Sequence, residues 1–182
     1  MPFGFFKKNK KEEEPHYDPT NIKVTDIRKG FVLDYDLKTW EVQDEYEYDW
    51  GDNNFSYEFK LVSADDVVFL SVEEDDFVEC TVTRKLNFNK LDEEIEEAIL
   101  SKGKPPRQII YNGTVFYRDG EHAGYFRNIK DTSFQPFVSW EYYDDSEKQV
   151  LVIEQWGDED FEASIGKVES ESDFSNILPI EM

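Results

Sequence analysis

Ser56-Tyr57-Glu58-Phe59, a short polar loop, then Val67-Val68-Phe69-Leu70-Ser71-Val72-Glu73 is a pattern that the chain writes a second time about eighty residues on. The second copy runs Ser139-Trp140-Glu141-Tyr142, a loop, then Val150-Leu151-Val152-Ile153-Glu154. A motif that returns at this spacing marks repeated structural units. An aromatic strand pair precedes each copy, Tyr35 to Trp40 and Tyr111 to Phe116, and a strand opening on Phe77 or Phe161 follows it. Phe55, Tyr57, Phe59 and Leu61 alternate with Ser56, Glu58 and Lys60, which is the period of a strand with one buried and one wet face. Val68, Leu70 and Val72, then Val78, Cys80 and Val82, continue the alternation. The expected fold is mainly β, a β-rich α+β chain of two tandem antiparallel sheet or small-barrel repeats joined by one connector helix.

The connector reads clearly. Leu91, Ile95, Ala98 and Ile99 form an apolar helical stripe, Asn89 is the expected N-cap, and Asp92, Glu93 and Glu94 suit the first turn. Gly103 and Pro105-Pro106 stop it. The expected organisation is a basic and acidic tail over 1–19, a first β repeat over 20–88, and the helix over 89–103. A second repeat over 104–182 ends in a docking segment.

The chain carries 42 acidic and 20 basic residues, a formal charge of −22, which repels phosphates and favours cationic partners. Nucleic acid is therefore not an expected partner; the bland reading of the charge is a solubility device. Fifteen Phe, ten Tyr and four Trp supply enough large side chains for a core. Cys80 is the only cysteine and falls on the apolar side of its strand, so it reads as a buried, inert thiol. No apolar run has the length of a membrane span and no signal peptide is evident, so the expected location is cytoplasmic. Phe3, Phe5 and Phe6 beside Lys7, Lys8, Lys10 and Lys11 suggest a weak peripheral membrane contact through residues 1–11. Pro2 stands where N-myristoylation needs glycine.

No nucleotide, hydrolase or metalloprotease motif occurs. His16, His122 and Cys80 lack zinc spacing, and the turn acids lack the EF-hand order. No catalytic residue, metal ligand or cofactor is therefore expected. Glu58 with Glu73, and Glu141 with Glu154, are carboxylates placed equivalently in the two copies, and together with Trp140 and Trp156 they are the candidate ligand-binding residues. Against this, acids on a strand's polar face commonly meet only water, and tryptophans commonly fill cores. Phe174, Ile177 and Leu178 in the apolar C-terminal segment are candidates for docking a partner, the alternative being packing on their own domain.

Arg28-Lys29-Gly30-Phe31, Asp34-Tyr35-Asp36, Trp40-Glu41-Val42 and Tyr48-Asp49-Trp50-Gly51 resemble the first repeat of a bacterial family, domain of unknown function 4178. Ser139 to Tyr143, Ile153-Glu154-Gln155-Trp156-Gly157, Phe161 to Ser164 and Phe174 to Pro179 are similar to its second part and are the more specific set. The resemblance carries no catalytic residue, because the family has no established activity. Its members are often encoded near phage-shock-type membrane-stress proteins and aminopropyltransferases, which implies a process rather than a mechanism. The leading expectation is a non-enzymatic cytosolic binding or adaptor protein linked to envelope stress, with a protein partner. The alternatives are a small-cation or polyamine sensor and, more weakly, an acidic mimic of nucleic acid.

Overall fold

The computed structural model describes residues 15–180. The strands are β1 (Phe31–Tyr35), β2 (Lys38–Asp49), β3 (Phe55–Val62), β4 (Val67–Glu74), β5 (Val78–Leu86), β6 (Gln108–Tyr111), β7 (Thr114–Asn128), β8 (Gln135–Tyr143), β9 (Gln149–Gln155), β10 (Phe161–Glu169) and β11 (Ser175–Pro179). One α-helix, α1 (Glu93–Lys102), separates β5 from β6. All the strands belong to one antiparallel sheet rather than two.

Two non-local pairings make the single sheet. β5 pairs with β10, and β2 pairs with β7. β2 is long because it serves different partners along its length: Trp40 sits opposite Leu33 of β1, whereas Tyr48 sits opposite Phe126 of β7. β7 does the same with β6 and β2. The order β2-β3-β4-β5-β10-β9-β8-β7 thereby returns to β2, closing an eight-stranded circuit. Closure supplies partners for backbone groups that two separate sheets would leave on open edges. Gly166 is what permits the β5–β10 contact, since a Cβ there would lie 1.8 Å from the Val82 carbonyl oxygen. Gly124 allows β7 the same intimacy with β2: its Cβ would fall 2.9 Å from both the Asp49 oxygen and the Trp50 ring.

The apolar sides of these strands form two clusters. The first joins Trp40, Phe59, Leu61, Leu70 and Val82 to Ile27, Leu33 and Phe174. The second joins Phe116, Trp140, Tyr142, Leu151 and Ile153 to Ile95 and Ile99 of α1. Both clusters lie outside the circuit, under the short 3₁₀ turn Val24–Asp26 with β1 and β11 on one flank, and under α1 and β6 on the other. The polar side of the alternation, including Ser56, Glu58, Ser139 and Glu154, faces inward onto a cavity.

Local details differ from expectation in three places. Asp92, not Asn89, caps α1, its side chain accepting from the Glu94 amide; Asn87 caps the 3₁₀ turn before it. Packing also begins before residue 20. Tyr17 meets Phe31 edge-on at 5.6 Å, and the His16 ring nitrogen lies 2.8 Å from the Asp26 carbonyl oxygen. Lastly, the C-terminal segment assigned to the second repeat returns to the first flank, where β11 pairs with β1. Phe174 stacks on Tyr35 at 4.9 Å, and Phe174 and Ile177 are buried there. Of the three docking candidates only Leu178 faces outward, 57% exposed. The membrane-contact segment 1–11 lies outside the described residues. No helix among those described is long and apolar enough to cross a membrane.

Candidate functional site in the barrel interior

The circuit encloses a cavity of about 670 Å³ whose lining includes Glu58, Glu73, Glu141 and Glu154. Strand register explains how they meet. Glu58 on β3 stands opposite Ser71 of β4, two positions before Glu73. Glu141 on β8 stands opposite Val152 of β9, two positions before Glu154. Glu73 is paired with Glu79 of β5, and Glu154 with Glu162 of β10. Like charges directly opposite in a ladder are unfavourable, and this barrel has such a pair on each side.

Glu58 is the best held of these acids. Tyr48 Oη donates to Glu58 Oε1 at 3.3 Å, and Ser71 Oγ donates to Glu58 Oε2 at 3.2 Å. Burial nevertheless raises the Glu58 carboxyl above the usual range, with Lys85 opposing the shift. Glu154 is pushed up to about 7, first by burial and then by the Glu58 charge, against the pull of Lys85. Glu154 is half-buried and lines the cavity. The Trp156 indole lies near enough to favour the ionised form of Glu154, yet Trp156 Nε1 is buried without a hydrogen-bond partner among the described residues. Lys85 donates to Glu162 at 2.5 Å at this end of the cavity. Burial disfavours the Lys85 charge, but its contact with Glu162 and the charges of Glu154, Glu162 and Glu58 outweigh it, so its pKa is raised.

The other end is more open. Glu73 is raised by burial, then by Glu141 and Glu79, with His122 opposing. Tyr143 Oη donates to Glu141 Oε2 at 3.4 Å. An adjoining cavity shares Trp50, Ser56, Glu73 and Glu141 and reaches His122. Aromatic rings form the wall between the ends. Tyr48 and Trp50 stack at 5.5 Å and 5°, Phe137 lies edge-on to both, and Trp156 stacks on Phe137 at 4.8 Å. The Trp50 indole N–H donates to Ser56 Oγ at 2.8 Å.

The structure thus brings Glu58, Glu73, Glu141 and Glu154 to one cavity and places Trp156 in the aromatic group beside it. Trp140 goes elsewhere: it is 1% exposed in the second apolar cluster, its indole donating to Glu121 at 2.8 Å. Sequence reasoning missed Lys85, Glu79 and Glu162. Parity was the available signal, because Cys80 and Val82 on one face put Glu79 and Lys85 on the other, and Ala163 does the same for Glu162. Among the described residues no three His, Cys, Asp or Glu side chains converge on one point as metal ligands must. Cys80 is buried, and burial pushes its thiol up to about 12, far from a nucleophile's range.

A protein of Aquifex aeolicus (strain VF5), described as an uncharacterized protein, is 27% identical over 171 residues, covering 94% of this chain and 93% of the relative. No solved structure matches. The family model for a domain of unknown function, DUF4178, matches residues 28–171, from just before β1 to just after β10, and the chain belongs to that family.

Proposed function

We propose that the protein is a non-enzymatic binding protein whose barrel interior receives a small organic cation. One observation carries this reading. Nine carboxylates line the main cavity and only one cationic side chain, Arg118, which turns its guanidinium to the Pro105 carbonyl oxygen. Glu58, Glu141 and Glu154 are partly buried among them, and Lys85 only partly offsets the burial of Glu58 and Glu154; carboxylates held so raise the free energy of the empty protein, and a bound cation lowers that cost. The aromatic wall suits the same ligand, because ring faces attract ammonium groups and cover alkyl stems. The acids are spread over the walls rather than gathered on a point, which favours an extended amine over a bare metal ion.

The two copied strand pairs fit this reading as a tandem of β-rich repeats, each giving one wall of the cavity. Spermidine titrated into the full chain by calorimetry tests it. The expected result is micromolar binding that weakens with salt and with Glu58→Gln or Glu154→Gln, and is indifferent to Asp158→Asn in an exposed turn. Millimolar association with no residue preference would overturn it, since diffuse charges beyond about 8 Å are screened at physiological salt.

A further inference from the structure

The sheet has two ends, and the chain covers only one of them. β11 lies along the outer edge of β1, whereas β6, at the other end, pairs with β7 alone among the described residues. The two ends are built alike. β1–β2 and β6–β7 are hairpins with two-residue turns, closed by Tyr35 opposite Lys38 and by Tyr111 opposite Thr114. The residues that close such a turn bond to each other, so alternate residues behind them direct their backbone N–H and C=O away from the hairpin. In β1 these are Asp34 and Val32, and β11 meets both, with Ser175 opposite Asp34 and Leu178 opposite Val32. Counting back from the turn in β6 gives Ile110 and Gln108. The Arg118 amide, which donates to the Arg107 carbonyl oxygen at 2.8 Å, fixes the same phase. Phe174 stacks on Tyr35, and Glu169 accepts from the Tyr35 hydroxyl at 2.8 Å. Tyr111, half-buried at the same place before its turn, has neither a ring nor a carboxylate on it among the described residues.

Charge sets the β6 end apart. Residues 98–118 are the longest stretch without an acid in a chain of net charge −22, and they hold Lys102, Lys104, Arg107 and Arg118. Lys102, Lys104 and Arg107 are exposed and stand in no ion pair among the described residues. Ile110, on the open edge, is 70% exposed.

We infer that the outer edge of β6 docks an extended segment of another protein, apolar along its length and acidic at its C-terminal end, which adds to the sheet as a further strand. β11 is the pattern for that occupant, because it shows what an edge of this kind takes: a ladder to the outward backbone groups and a ring over the tyrosine. Length does not forbid it, since β6 has 4 residues and the covered β1 has 5. β6 itself carries no charge or proline to blunt the edge. A strand running antiparallel, as β11 does on β1, ends beside Arg107 and Lys104, and acids there complement them. The chain's own apolar segment is likewise followed by Glu181. A second copy of the chain is the poorer fit, because two bodies of charge −22 repel each other. The edge is separate from the barrel cavity and does not depend on the cation-binding reading.

A synthetic peptide of residues 169–182, fluorescein-labelled at its N-terminus and titrated into the full chain, tests the inference by polarisation and by amide hydrogen exchange. The expected result is binding below about 100 µM, with slowed exchange at Gln108 and Ile110. Ile110→Pro removes an outward N–H but leaves the β7 ladder intact, so it should abolish binding with the thermal midpoint little changed. Lys104→Glu combined with Arg107→Glu should weaken binding at least about tenfold. Glu154→Gln should leave it unaltered, which separates this site from the cavity. Association no tighter than millimolar, or exchange altered at Val32 and Asp34 in place of Gln108 and Ile110, would overturn the inference. So would dimerisation of the peptide-free chain that Ile110→Pro abolishes, because a second copy would then be what the edge takes.

Discussion

The inside and the outside of this barrel exchange the roles that these regions have in most small barrels. Barrel interiors of this strand number are commonly filled with packed side chains; here the apolar packing sits on the outer surface of the sheet, in two clusters covered by β1 and β11 and by α1 and β6. The interior instead holds acids, hydroxyls and an aromatic wall. Apolar packing and partly buried acids are therefore separated onto opposite faces of the same strands. Substitutions one residue apart should then have effects of opposite sign.

Trp140 and Glu141 are such neighbours, and Trp140→Ala is the largest expected effect. It empties a fully buried site in the second cluster and leaves Glu121 without its donor. A loss of about 3–5 kcal/mol in urea unfolding is expected. A loss under about 1 kcal/mol would mean that the outer clusters do not hold the fold. Next comes Gly166→Ala, which tests closure. The added methyl meets the Val82 oxygen and the Thr83 Cα, and backbone cannot yield as a side chain does. A cost of about 3 kcal/mol is expected from such overpacking, and amide exchange along β5 and β10 should quicken.

The interior carries the opposite sign. Glu154 has a pKa raised from the ordinary carboxylate value to about 7, so the folded state holds its proton more tightly than the unfolded chain does. Stability from this group is fully present below about pH 4.5, falls as the pH rises towards 7, and above that the ionised carboxylate is a constant burden. Glu154→Gln should therefore stabilise the ligand-free protein by about 2 kcal/mol at pH 8 and leave it unchanged at pH 4.5. Destabilisation at pH 8 would show that the charge is already compensated.

The smallest effect lies at the hairpin tips. The β1–β2 and β6–β7 turns both take positive φ at two positions, Asp36 and Leu37 in one, Asn112 and Gly113 in the other. Leu37 is fully exposed and adopts φ 62°, a conformation costly for a branched residue. Leu37→Gly should gain about 0.5–1 kcal/mol, which a shift in thermal midpoint measures. Unchanged stability would remove that contrast between the tips.

These expectations also mark what the sequence can express. Alternation in Phe55 to Leu61 and in Val78 to Val82 identifies strands and separates their faces, because the period of two is local. It does not say which face turns inward. Glu58 and Glu141 are legible as polar-face residues, and a polar face suggests solvent unless closure is known. Closure depends on β5 meeting β10 and β2 meeting β7, pairings between residues about eighty apart, and no local pattern encodes them. Gly166 looks like any strand glycine until Val82 lies beside it. The same reason hides Lys85 and Glu162, whose significance comes from Glu154 across a ladder. It also hides β11, whose apolar residues look free until they cover the opposite half of the chain.

The claim that matters most is that the barrel interior strains the Glu154 carboxyl, which Lys85 only partly offsets, and so favours a bound cation. Carbon-13 NMR titration of the Glu154 side-chain carboxyl, with and without spermidine, measures this at the atom concerned. The account predicts a midpoint near 7 for the free protein, from the burial and charge around Glu154, and a clear fall when spermidine is bound, since an ammonium beside a carboxylate favours its ionised form. A midpoint in the ordinary carboxylate range near 4.5 that spermidine leaves unmoved would contradict it.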